Sequence, residues 1–215
     1  DSSFHAFKQS LNRFTIATEA MCRMFEKGRI FIAPNLNVNE NVMEEREDEL
    51  LTKILTLQET DPTIEICAPE DFIDGFYDGL LRDLDILQKL NDAWKKVEQD
   101  PKLDEFLKRI RGELLSPSIN PSQKLVIFSE SKETTTYLVQ KLRDSGREDV
   151  LEVHSDNRDK LKQTVRENFD ANIPRTLYKN TYNIIIATEV LAEGINLHRS
   201  NVIVNYDTPW NSTRL

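Results

Sequence analysis

The sequence predicts an α/β domain with a parallel sheet over residues 121–215, preceded by a mainly α-helical segment over residues 1–120. Two observations carry this. The apolar residues of the first half recur every three or four positions, the period of a helix face. After a Ser-Pro-Ser-Ile-Asn-Pro-Ser stretch at 116–122, short apolar runs alternate with helical patterns, the signature of strands joined by helical crossovers.

In the first half, Phe4, Phe7, Leu11 and Phe14, continued by Met21 and Met24, mark one helix face, and Gly28 supplies its stop. Residues 29–37 read as a loop with a brief extended piece at Ile30, Phe31 and Ile32. A second helix is expected from about Val42 to Leu57, with Glu44, Glu45 and Glu47 in its first turn, where acidic side chains favour the positive helix end. Phe72, Phe76, Leu80, Leu84, Leu87, Leu90, Trp94 and Val97 form a third stripe, weakened at its start by Gly75 and Gly79. Asp100 followed by Pro101 gives an N-cap with proline at the first helical position. Leu103, Phe106, Leu107, Ile110 and Leu114 then supply the apolar face.

In the second half, Leu125–Phe128, Val150–Val153, Ile184–Ala187 and the run at Val202, Ile203 and Val204 read as four strands. A short apolar run such as Leu125–Phe128 suits a buried parallel strand. Ser131 can cap a helix carrying Leu138, Val139 and Leu142, closed by Gly146. Leu161, Val165 and Phe169 mark another.

Composition bounds the function. Of 215 residues 39% are apolar and 30% charged, as in a soluble globular chain. No apolar run approaches the roughly 20 residues of a membrane helix. The opening Asp1-Ser2-Ser3 has neither an initiating Met nor a signal-peptide pattern, so the expectation is an internal piece of a longer cytoplasmic protein, or a nuclear one in a eukaryote. Cys22 and Cys67 fit no metal spacing and read as ordinary thiols. The net charge of -9 lies wholly in residues 1–120, because residues 121–215 balance thirteen basic against thirteen acidic side chains. An acidic surface repels phosphate backbones, so nucleic acid is expected to meet the second half. The acidic helices are a candidate surface for a protein partner.

In open α/β sheets ligands gather beyond the carboxyl ends of the strands. Those ends hold Ser129 and Ser131, His154, Thr188 and Glu189 with Glu193, Gly194 and Asn196 beyond, and Tyr206 with Asp207. Taken singly, Ser129 or Ser131 is a helix cap, His154 a loop histidine, Gly194 a turn glycine and Asp207 a turn or cap residue. No glycine-rich phosphate loop is present, so a self-sufficient nucleotide site is not expected.

Together the segments resemble a known family. The run from Asn183 to Leu197, with Thr188, Glu189, Glu193, Gly194 and Asn196, looks like motif V of superfamily 2 helicases. Val202 to Asn211 resembles the strand and Tyr-Asp-x-x-Trp-Asn segment of the Swi/Snf-like and related bacterial helicases. Lys124 to Ser129 resembles motif IV, and residues 2–11 are weakly similar to the helix that leaves the first lobe. The resemblance implies a second RecA-like lobe, working in an ATP-dependent helicase or translocase that uses ATP and Mg2+. It implies that Ser129, His154, Thr188 and Glu189 lie along nucleic acid, DNA ahead of RNA, with Thr188 and Ser129 on backbone phosphates. Such contacts carry no sequence information. It implies that Glu193, Gly194 and Asn196 face the nucleotide. The family's Gln-x-x-Gly-Arg-x-x-Arg segment and first-lobe motifs are missing, so the chain alone is expected to be inactive, with no catalytic residue of its own and no metal ligands. The competing readings are a non-catalytic interaction module using the acidic helices on a helicase-like scaffold, and an unrelated nucleotide-binding α/β enzyme.

Overall fold

The computed structural model describes residues 3–188 and 196–207. The chain divides into two compact units, one of residues 8–98 and one of residues 1–7 with 99–215. No helix among the described residues is long and apolar enough to cross a membrane.

The first unit is helical with a small two-stranded antiparallel sheet. Helix α1 (Phe4–Glu26) ends at Gly28, whose φ of 69° is a left-handed conformation that only glycine adopts cheaply. The Arg29 N–H reaches back to the Met24 carbonyl at 3.0 Å, closing the helix. The chain then forms β1 (Ile30–Ile32), which pairs antiparallel with β2 (Glu65–Cys67). The extended piece at Ile30 to Ile32 was legible; its partner, three residues long, offers too little alternation to read.

The single helix expected over 42–57 is two, α2 (Val38–Met43) and α3 (Glu47–Gln58). Glu45 takes a φ of 59°, which breaks the helix, and the Arg46 N–H turns back to the Asn41 carbonyl. The acidic first turn therefore belongs to α3, as Glu47, Asp48 and Glu49. The third stripe also starts later than its apolar pattern. Helix α4 (Phe76–Lys95) begins after Gly75 at φ 78°, and Phe72 follows a 3-10 turn over Pro69–Asp71. Ala20, Met24, Phe25, Ile30, Val42, Leu50, Ile54 and Ile64 form this unit's core, with Phe72 and Phe76 against it. Each fully buried side chain of this size contributes about 1.5–3 kcal/mol.

The second unit holds helix α5 (Pro101–Arg109), ending in a π turn over Ile110–Leu114, and then β3 (Leu125–Phe128), α6 (Lys132–Asp144), β4 (Val150–Val153), α7 (Arg158–Phe169), β5 (Ile184–Ala187) and β6 (Val202–Asn205). Asp100 caps α5 by accepting the Leu103 N–H at 3.0 Å, and Ser131 caps α6 by accepting the Thr134 N–H at 3.1 Å, as their residue types predict. The sheet is parallel throughout, in the order β4-β5-β3-β6. Its alternating residues feed two cores. Leu125, Ile127, Val150, Ile184 and Ile186 meet Leu138, Val139 and Leu142 of α6 and Leu103, Phe106 and Ile110 of α5. Val126, Leu151, Val153, Ile185 and Ala187 meet Val165 and Phe169 of α7. Helices thus pack on both faces, which is why the two central strands, β3 and β5, read as unbroken apolar runs. Helix α5 packs in the sheet unit, and the two compact units part between residues 98 and 99.

Candidate nucleic-acid interface

The sheet register sets the candidate residues in one row. Val153 pairs with Ala187, Ala187 with Phe128, and Phe128 with Asn205. The next residue on each strand, in spatial order, is therefore His154, Thr188, Ser129 and Tyr206. Three of these four were singled out from sequence as contacts to nucleic acid. Backbone hydrogen bonds continue the sheet through this row: Ser129 N–H to Ala187 at 3.0 Å, Tyr206 N–H to Phe128 at 2.8 Å, and Thr188 N–H to Val153 at 3.3 Å.

Ser129 is 3% exposed, and its hydroxyl donates to Asp207 Oδ2 at 2.6 Å. The same carboxylate oxygen accepts the Glu130 N–H at 3.0 Å. The other, Oδ1, takes the Lys102 ammonium at 3.1 Å. A buried carboxylate is tolerated only with such partners. Lys102 Nζ also lies 4.0 Å from the centre of the Tyr206 ring, which meets the Phe106 ring in a T-shaped contact. Asp207 is thus more than a turn residue: it ties the ends of β6 and β3 to α5. Sequence reasoning missed Lys102, because a lysine on the polar side of an amphipathic helix carries no signal of a partner 105 positions away.

Both ring nitrogens of His154 are held by its own turn. The Asp156 N–H approaches Nδ1 at 3.3 Å, and Asn157 Nδ2 lies 3.2 Å from Nε2. Thr188 is half-buried, and Asn196 is exposed. Glu189, Glu193 and Gly194 lie outside the described residues, so the structure does not bear on those three expectations.

Near Tyr206 lie the polar side chains of Asp100 and Tyr137. Tyr137 donates its hydroxyl to Asp100 Oδ2 at 3.3 Å and stacks on His5 at 4.8 Å. Burial and the Asp100 charge push the Tyr137 phenol up to about 12. Burial, with Asp100, Tyr137 and Asp207 nearby, holds the Tyr206 phenol far above its ordinary range. The Tyr206 hydroxyl is buried and has no hydrogen-bond partner among the described residues. At the opposite, amino end of the strands, Lys124 is buried with its ammonium donating to the Tyr182 carbonyl at 2.8 Å, over the Phe169 ring. Burial, reinforced by Arg199, lowers its pKa to about 8.

Cys22 and Cys67 are both free thiols, and burial raises the pKa of each. No group of three or more His, Cys, Asp or Glu among the described residues is placed to hold a metal.

Comparison with known proteins matches residues 102–215, more than half of the chain, to the helicase conserved C-terminal domain. An uncharacterized ATP-dependent helicase of Bacillus subtilis, YqhH, is 30% identical over 133 residues, covering 62% of this chain and 21% of that protein. The ATP-dependent RNA helicase DBP2 of Candida albicans is 30% identical over 111 residues, covering 51% and 18%. A probable eukaryotic initiation factor 4A of Trypanosoma cruzi is 25% identical over 129 residues, covering 58% and 27%. The chain therefore spans between 18% and 27% of the length of these relatives.

Proposed function

Because the chain belongs to the helicase conserved C-terminal domain family, we propose that it serves as the second RecA-like lobe of an ATP-dependent nucleic-acid helicase or translocase. The observation that carries this is the row His154, Thr188, Ser129 and Tyr206 along the carboxyl edge of a parallel sheet. Thr188 and Ser129 face backbone phosphates in this reading, which suits a motor that must track any sequence. His154 and Glu189 are assigned to the same nucleic-acid track. Glu193, Gly194 and Asn196 take the nucleotide side, shared with a first lobe.

ATP and Mg2+ would be bound between the two lobes. The names of the relatives include RNA helicases, so the choice of DNA ahead of RNA rests with measurement. The test is ATP turnover by the complete gene product with DNA or RNA added. Stimulation that falls at least tenfold in Thr188→Ala is expected, together with no turnover by this chain alone. Turnover indifferent to every nucleic acid would overturn the reading.

A second reading, a protein-docking role for the acidic helical unit, is favoured by α4. This helix buries none of its residues fully and leaves Leu81, Ile86 and Leu90 exposed. Exposed apolar side chains grouped on one element mark contact surfaces. Replacing all three with Gln is expected to leave nucleic-acid stimulation intact while abolishing co-purification of a partner; retained co-purification would count against docking there.

A further inference from the structure

We propose that Asp207 is a positioning residue that withholds the Ser129 hydroxyl from nucleic acid and so sets the affinity of this edge. The inference rests on the reading of Ser129 as a phosphate contact. Phosphate oxygens only accept hydrogen bonds, and a serine hydroxyl has one proton to give. That proton is committed to Asp207 Oδ2 at 2.6 Å. The acceptor is a carboxylate, which binds a hydroxyl more strongly than a neutral oxygen does. It is also 7% exposed, so water does not compete for it.

Ser129 can therefore donate to a phosphate only by leaving Asp207. The carboxylate tolerates that exchange because it keeps two other donors, the Glu130 N–H at 3.0 Å and the Lys102 ammonium at 3.1 Å. Lys102 modulates the grip: drawing charge to Oδ1 makes Oδ2 a weaker acceptor. An edge whose donor is held back binds the backbone less tightly and releases it more readily, as a stepping motor requires.

The experiment is a double-mutant cycle in the complete gene product, read as the concentration of a mixed-sequence oligonucleotide that gives half-maximal ATPase stimulation. Asp207→Asn replaces a charged acceptor with a neutral one. It is expected to lower that concentration about fivefold, the difference between a charge-assisted and a neutral hydrogen bond. In a Ser129→Ala background the same substitution is expected to change it less than twofold. An equal gain in both backgrounds would mean that Asp207 acts by charge repulsion alone and would overturn the proposal, as would no gain in either. If Ser129→Ala by itself leaves half-saturation unchanged, Ser129 is not a phosphate contact; the proposal then falls with that assignment, a result separate from failure of the cycle. Should Asp207→Asn not fold, Lys102→Met carries the test in the opposite direction. It is expected to weaken binding more in the Ser129 protein than in Ser129→Ala, and an equal loss in both overturns the proposal.

Discussion

Ser129 at the end of β3 donates its hydroxyl proton to Asp207 beyond the end of β6, at 2.6 Å and across 78 positions of sequence. The bond joins two neighbouring strand ends of a parallel sheet, and Lys102 of α5 completes it. Removing the acceptor should therefore cost more than removing the donor. Asp207→Ala takes the acceptor from both the Ser129 hydroxyl and the Glu130 N–H, and is expected to cost about 1–3 kcal/mol for each. Ser129→Ala leaves Asp207 two partners and is expected to cost about 1–3 kcal/mol. Urea denaturation of the purified chain measures both; equal losses would show that the carboxylate is not the hub.

Tyr206 makes a contrary case. Its buried hydroxyl lacks a partner among the described residues, and an unsatisfied buried polar group costs about 1–3 kcal/mol. Tyr206→Phe retains the ring against Phe106 and Lys102. The substitution is expected to leave stability unchanged or raise it by about 1 kcal/mol. A loss above 1 kcal/mol by chemical denaturation would show that the hydroxyl is bonded in solution.

Lys124 gives the fold a pH dependence. Its pKa of about 8 in the folded chain lies below the ordinary 10.5, because burial disfavours the ammonium. The unfolded chain thus binds the proton more tightly. Below pH 8 both states are protonated and the burial penalty is fully present; as pH rises above 8 the folded amine is released first and stability increases. The full gain is about 3 kcal/mol. Thermal midpoints measured from pH 7 to 9.5 should rise in the wild type relative to Lys124→Met, in which this contribution is gone. Parallel curves for the two proteins would refute the assignment.

Two glycines should respond oppositely to alanine. Gly146 closes α6 at φ 89°, so Gly146→Ala is expected to cost about 1–2 kcal/mol. Gly79 lies within α4, where an added methyl meets nothing within 4 Å. Gly79→Ala is expected to gain up to about 1 kcal/mol from helix propensity. Chemical denaturation of both variants tests the pair, and a shared sign would contradict one of the two backbone assignments.

The sequence by itself determined the α/β class, the four strands of the sheet and the caps at Asp100 and Ser131, because each is written in neighbouring residues: an apolar run, a helical period, a side chain three positions from the N–H it accepts. It also placed Ser129, His154 and Thr188 at strand ends. Tertiary structure decided what that local code does not contain. Glu45 breaks a helix whose apolar period runs on, and α5 joins the sheet unit because Leu103 and Phe106, with Ile110 just beyond, share one core with β3, β5 and α6. Only the strand order, with β5 inserted between β4 and β3 and β6 on the far side, brings four distant residues into one row and closes Asp207 onto Ser129. Periodicity records which face of an element is buried; which elements become neighbours is set by how those faces pack together, and no short stretch of sequence holds that information.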